Sequence, residues 1–285
     1  MTTNIDRLWE PARVAASITH GAIHTTLDDR LRGELAATDA IPERVVCALT
    51  DPKPLDICMP VLNAVLAAQY QEVFAALALP NTLSVYEPCV GASPPVIFAT
   101  EAYGQGSYLT INLNRKLRGE LQNKIAHIKS VIRIIEENAV AATVSLPDNS
   151  FDVACFHHAI NDILQTACAE PRGMDTTAID WFPNERQMIE WLAEDFQRDQ
   201  LASRGKPELM SIVGEAARLV KPGGYLVFDH FNWCRFIGVD WFPWDLFYNL
   251  IPMTRGWITE SALPLQEVSL SGLPTQWWMI WQVKD

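Results

Sequence analysis

Cations are scarce in this sequence: 22 Lys and Arg stand against 34 Asp and Glu, a formal net charge of −12. Binding along a phosphate backbone rests on clustered Lys and Arg. The densest basic run is Arg115, Lys116 and Arg118, which a solvated helix start accounts for, so no nucleic-acid partner is expected. The six cysteines (Cys47, Cys58, Cys89, Cys155, Cys168, Cys234) are scattered, with no C-x-x-C pair and no histidine at zinc-finger spacing. Several lie in apolar runs, where a free cysteine behaves as a small core residue. No uncharged apolar run reaches membrane-spanning length. The opening M-T-T-N-I-D-R-L-W-E lacks a charged segment followed by an apolar one, so no signal peptide is indicated. A cytoplasmic protein with no membrane partner is the expectation. Internal repeats and low-complexity segments are also missing.

What is present fits one large α/β domain, or one domain with a modest addition, in 285 residues. Residues 1–80 read as helical: Ile5–Ile18, Leu27–Ala37 and Val61–Leu79 space apolar residues by three and four, and Asp51-Pro52-Lys53-Pro54 makes a turn. From Thr82 the pattern changes. Short apolar runs at Leu83–Tyr86, Tyr108–Ile111, Ser130–Ile135, Phe151–Phe156 and Tyr225–Phe228 alternate with helical segments, as a parallel, doubly wound sheet requires. Between the last two, Glu185–Val220 is rich in helix formers and is divided into two helices by the break Ser203–Pro207. An aromatic-dense stretch follows, with Trp233, Trp241, Phe242, Trp244, Phe247, Tyr248 and Trp257. The end reads as a hairpin: Leu265–Leu270, a Ser271–Pro274 turn, then Gln276–Val283.

The richest stretch is L-P-D-N-S-F-D-V-A-C-F-H-H-A-I-N-D, Leu146 to Asp162. A polar turn feeds one buried strand, which then delivers His157, His158, Asn161 and Asp162. Ligands of open α/β sheets sit outside the carboxyl ends of the strands, so fold and site signals coincide here.

Three segments in order resemble class I S-adenosylmethionine-dependent methyltransferases, over roughly residues 80–285. They are the strand and small-residue loop Val85-Tyr86-Glu87-Pro88-Cys89-Val90-Gly91-Ala92-Ser93, the entry Leu146-Pro147-Asp148-Asn149-Ser150-Phe151-Asp152, and the turn Arg218-Leu219-Val220-Lys221-Pro222-Gly223-Gly224. The terminal hairpin is similar to the antiparallel pair closing that family's sheet. The resemblance implies a Rossmann-like doubly wound sheet over 81–285, with residues 1–80 as a helical lid and 185–217 as a helical insertion. It implies S-adenosylmethionine as cofactor, held by Glu87, Cys89, Gly91, Ser93, Asn112, Asn138, Ala139 and His157. Of the family's three loop glycines only Gly91 remains, with Cys89 and Ser93 at the other two positions. Asn112 stands where a ribose-binding acid is usual, with Asn114 close enough to compete, and Asn138 stands at the adenine-side acid.

Methyl transfer aligns a nucleophile with the methyl group and in some cases removes its proton. His157, His158 and Asp162 are the candidates for that chemistry. A neutral imidazole can act as general base, and alternation along extended backbone turns only one of two adjacent histidines toward a pocket. Asn161 reads better as a helix cap. Asp229 and His230 also face the cleft mouth, but with Asp162 their spacing is not that of a metal site, and no metal is expected. The tryptophans after 230 read equally well as an acceptor pocket and as core. The leading expectation is a methyltransferase for an O or N atom of a small, partly apolar metabolite, with a homodimer as an option. A degenerate methyltransferase-fold partner protein is the competing reading, and a protein or RNA methyltransferase a third. His157-His158-Ala159-Ile160 in place of N/D-P-P-Y/F counts against the amino-methylating subgroup.

Overall fold

A computed structural model describes residues 55–284, apart from 105, 231–238, 272 and 274. The helices expected over 5–18 and 27–37, and Trp233, lie outside the described residues. The chain runs α1 (Leu55–Ala76), β1 (Ser84–Pro88), α2 (Pro95–Tyr103), β2 (Ser107–Ile111), α3 (Arg115–Lys124), β3 (Val131–Ile135), α4 (Ala139–Thr143), β4 (Phe151–His157) and α5 (Ala159–Ala169). It continues through α6 (Trp181–Gln197), α7 (Leu201–Arg204), α8 (Lys206–Leu219), β5 (Val220–Asp229), α9 (Trp244–Thr259), β6 (Leu265–Val268) and β7 (Trp278–Val283).

The strands form one seven-stranded sheet in the order β3-β2-β1-β4-β5-β7-β6. β1 to β5 pair in parallel, and β7 runs antiparallel to both β5 and β6. This is the expected doubly wound sheet with its C-terminal antiparallel hairpin. The order reverses between β1 and β4, and a ligand crevice opens at such a switch point because the connections leave in opposite directions. Val85, Tyr86, Val153–Phe156 and Leu226–Phe228 are all buried, so these strands lack alternation because both faces are covered.

Three local features differ from the expectation. β5 begins at Val220, so Lys221-Pro222-Gly223-Gly224 is not a turn into the strand but a bulge within it. Two steps on β4, Phe151 to Val153, face five on β5, Val220 to Tyr225. A side chain at Gly224 would meet the Asp152 carbonyl at 2.6 Å, which only glycine avoids. The helical segment before β5 has three pieces rather than two, and its first break falls at Arg198–Gln200. Lastly, the part of the expected lid that is described shares the main core: Leu66, Tyr70, Val73 and Phe74 of α1 are buried in it, and α1 packs on α2.

The helices over the β1–β4 crevice are tied by a buried ion cluster. The wholly enclosed Asp195 side chain on α6 accepts from Arg172, just after α5, and from Arg204 on α7. Those hydrogen bonds, the Arg172 pair above all, hold its carboxyl well below the usual range. Removing one partner of a buried pair strands the others. Asp195→Ala should therefore cost about 3 kcal/mol, read as a lower midpoint in urea denaturation.

Candidate functional site

The carboxyl ends of β1 and β2 turn into two tight structures. After β1, Cys89 (φ 61°) and Gly91 (φ 59°) both take left-handed backbone, natural for glycine and strained for cysteine. Asn112, after β2, donates from Nδ2 to the Gly91 carbonyl at 2.6 Å. It therefore fixes the loop and keeps Oδ1 for a ligand. Asn114 is spent elsewhere: its Oδ1 caps α3 through Lys116 and Leu117, and its Nδ2 donates to the carbonyls of Thr176 and Ile179. The ribose role weighed for Asn114 has no free polar atom to perform it. Asn138 caps α4 by accepting from Val140 and Ala141, while its Nδ2 donates to Glu208 at 3.3 Å.

These ends open on a cavity of about 290 Å³. One wall is Cys89, Gly91, Asn112, Asn138 and Ala139, and Asp162 lies across from them. Six of the sequence-predicted site residues thus meet in one place. Thr166 and Glu170, Trp181, and Arg204 with Glu208 complete the lining from α5 and its continuation, α6 and the α7–α8 segment. No motif marks these last residues. The only sequence signal was the unusual length of the helical segment between β4 and β5.

The lining is acidic. Among the described residues, Glu137, Asp162, Glu170 and Glu208 line it beside one cation, Arg204, and that guanidinium is already paired with Asp195. Burial, with Asp162 and Glu208 beside it, pushes the Cys89 thiol up to about 12, so this thiol is inert. Anion binding is disfavoured by the backbone as well. Pro94 and Pro95 open α2 without N–H groups, and the next residues, Val96 and Ile97, are buried. A helix start of this kind cannot cradle a phosphate.

Four predicted residues lie outside the cavity lining. Glu87 is enclosed, and its Oε2 accepts from the Tyr108 hydroxyl. Burial raises its pKa well above the carboxylate range, against that hydrogen bond and with the Asp229 charge adding to the rise. Ser93 and His157 belong to a separate polar chain. The His157 ring packs with Nδ1 2.9 Å from Asp229 Oδ1, and both side chains are sealed from solvent. His158, half-buried, sits in left-handed backbone (φ 55°) at the start of α5. It takes the N-cap position considered for Asn161, which lies inside the helix and donates to Asp162 at 2.5 Å. His158 stacks on His230, with centroids 4.9 Å apart, and His230 stacks on Phe247. Of the late aromatics, Phe242, Phe247, Trp257, Trp277, Trp278 and Trp281 are core. Among the described residues no cluster of His, Cys, Asp and Glu could hold a metal ion, and no helix is long and apolar enough to cross a membrane.

No family model matches the chain, and no curated protein does. Solved structures resemble it at low identity. One is a protein of Methanococcus maripaludis provisionally named an S-adenosyl-L-methionine-dependent methyltransferase (11% identity, 82% of this chain and 92% of that one, TM-score 0.49). Another, from Galdieria sulphuraria, is provisionally named a sarcosine dimethylglycine methyltransferase (13%, 59% and 44%, TM-score 0.34). A third is an S-adenosylmethionine-dependent methyltransferase of Clostridium acetobutylicum (12%, 57% and 48%, TM-score 0.37). In the last two the match spans less than half of the other protein's length.

Two outcomes follow from this geometry. Cys89→Gly relieves the left-handed strain and should leave stability within about 1 kcal/mol of the parent, whereas the β-branched Cys89→Val should lose about 2 kcal/mol. Both are read by chemical denaturation. Burial, with His157 adjacent, lowers the His230 pKa from 6.5 to about 3. The folded state thus favours neutral imidazole, and its contribution is whole above the unfolded pKa and fades as pH falls from 6.5 toward 3. Thermal melts across that window should show a decline that His230→Phe makes shallower.

Proposed function

We propose that this chain is an S-adenosylmethionine-dependent methyltransferase acting on a small, partly apolar molecule. The observation carrying this reading is the cavity at the β1–β4 switch point, where the described lining residues include four carboxylates and one cation, Arg204, itself paired with Asp195. Such a lining favours a ligand that is a nucleoside on one side and a cation on the other. A sulfonium nucleoside meets both demands and carries no phosphate. A dinucleotide would bring its pyrophosphate to a helix start stripped of N–H groups by Pro94 and Pro95.

The cofactor supplies a methyl carbon activated by positive sulfur. Asn112 Oδ1 is available for ribose hydroxyls. Ala139 and Ile111 give apolar contact, Gly91 allows close backbone approach, and Asp162 and Glu208 supply negative charge. Some nucleoside sites use a charged acid where Asn112 stands; here the neutral amide holds its own loop in shape while binding. The small-molecule reading is supported by the net charge of −12, by the modest cavity volume of about 290 Å³ and by the His158–His230–Phe247 stack beside the ends of β4 and β5.

Isothermal titration calorimetry tests the reading. S-adenosylmethionine should bind with a Kd in the micromolar range, roughly −8 kcal/mol, and more weakly as salt rises. NAD should not bind. Asp162→Asn should weaken S-adenosylmethionine more than S-adenosylhomocysteine, whose sulfur carries no charge. No binding at about 1 mM ligand, a ceiling near −4 kcal/mol, would overturn the assignment and leave the degenerate partner protein standing.

A further inference from the structure

A chain of polar groups runs from α1 to the loop after β1, beneath the ends of β4 and β5. Tyr70 Oη donates to Asp229 Oδ1. His157 Nδ1 is 2.9 and 3.1 Å from the two Asp229 oxygens. His157 Nε2 lies 3.5 Å from Ser93 Oγ, which donates to Asn63 Oδ1 at 3.0 Å. Tyr70, Asp229, His157 and Asn63 are buried, and the half-buried Ser93 alone of the five is reachable. His157, with its side chain fully enclosed, cannot touch an acceptor itself.

Hydrogen-bond direction limits the states of this chain. A carboxylate only accepts, so Nδ1 carries a hydrogen. With the Ser93 hydrogen on Asn63, the serine lone pairs face Nε2, which fits a doubly protonated ring. One rotation of the hydroxyl turns its hydrogen to Nε2 and fits the neutral ring. The two states differ by one proton and one rotor.

We propose that Ser93 Oγ is the atom through which this chain takes the proton of a bound acceptor, with His157 storing it and Asp229 and Tyr70 as positioning residues. The inference rests on the methyl-transfer reading above. As the acceptor's oxygen or nitrogen bonds to the methyl carbon and the carbon–sulfur bond breaks, that bond's electron pair stays on sulfur. The acceptor's proton passes to Ser93 Oγ while Ser93's own proton passes to Nε2. The positive charge lost from sulfur reappears on the imidazolium against Asp229. Ser, His and Asp here have the order of a hydrolytic triad. Pro94 and Pro95, however, leave no N–H on the two residues after Ser93, and the Ser93 N–H is spent on the Val90 carbonyl. An oxyanion thus lacks the donors that usually follow a nucleophilic serine, and the hydroxyl suits proton passage rather than acyl transfer.

The groups around His157 are Asp229 of β5, Tyr70 of α1, Glu87 of β1, Cys155 of β4, His158 at the start of α5, and His230. Two of them bear on the ring in opposite senses: Asp229 accepts from Nδ1, while the Tyr70 hydroxyl draws on the same carboxylate oxygen.

The test is the rate of Ser93 phosphorylation by diisopropyl fluorophosphate, with fluoride as leaving group, followed against pH by peptide mass spectrometry on the full chain with S-adenosylhomocysteine present. Slow, single-site labelling at Ser93 is expected, rising with pH along one titration. His157→Gln should slow it about a hundredfold, and Asn63→Ala should speed it. Tyr70→Phe should move the midpoint up and Asp229→Asn down, opposed shifts that a merely structural role would not produce. Should Asp229→Asn fail to fold, Tyr70→Phe, which keeps the ring, and His157→Gln carry the test. No label at Ser93, or an unchanged rate in His157→Gln, overturns the proposal. Sustained turnover of p-nitrophenyl acetate overturns it in favour of a nucleophilic serine. Calorimetry with S-adenosylmethionine decides the cofactor separately, so either result can fail alone.

Discussion

The carboxylate of Asp229 is the group around which this structure is arranged. A charge with no solvent exposure needs partners, because burial of an unpaired carboxylate costs several kcal/mol. Its partners arrive from two directions: the Tyr70 hydroxyl from α1 and the His157 ring from the end of β4. That requirement fixes how α1 docks, which way the imidazole turns, and which ring nitrogen points to the loop after β1. It also explains why α1 belongs to the core. Tyr70 packs edge-on against Trp278 of β7, so the polar and apolar contacts of α1 reinforce one another.

Electrostatics divides the interior into two compartments. The cavity concentrates acids whose nearest cation is committed to Asp195, and it remains a place for positive charge. The neighbouring chain around His157 is closed, and each of its groups is matched to another. Glu87, enclosed beneath the loop after β1, is held well above the carboxylate range by burial, with the nearby Asp229 adding to the rise.

Much of the frame was legible from sequence. Phe151–Phe156, Tyr225–Phe228 and Tyr108–Ile111 are uninterrupted apolar runs because parallel strands are covered on both faces, and the hairpin followed from its spacing. Cys89 and Gly91 fall in the tight turn that their position after β1 dictates. Other features were hidden for local reasons. Asn114 and Asn138 each precede a helix, and the capping demand of the backbone engages their oxygens, which position in the sequence alone did not reveal. The lysine–proline–glycine–glycine segment reads as a turn, yet its glycines serve a bulge. The far wall, with Trp181, Arg204 and Glu208, was invisible because it forms by packing of helices that carry no motif and contact residues far away in the chain.

The paired prolines at the start of α2 have a consequence for how this scaffold could change. Doubly wound sheets acquire new ligands mainly by altering loops at the switch point, and phosphate binding usually needs only a small residue and a free helix start. Here two neighbouring amide hydrogens are missing, and the following two are covered by core. Restoring one would still leave an incomplete cradle, so no single substitution confers part of the benefit. The loop is therefore held by a threshold: a descendant of this chain could broaden its range of uncharged or cationic ligands stepwise, but could reach a phosphorylated one only by replacing both prolines together.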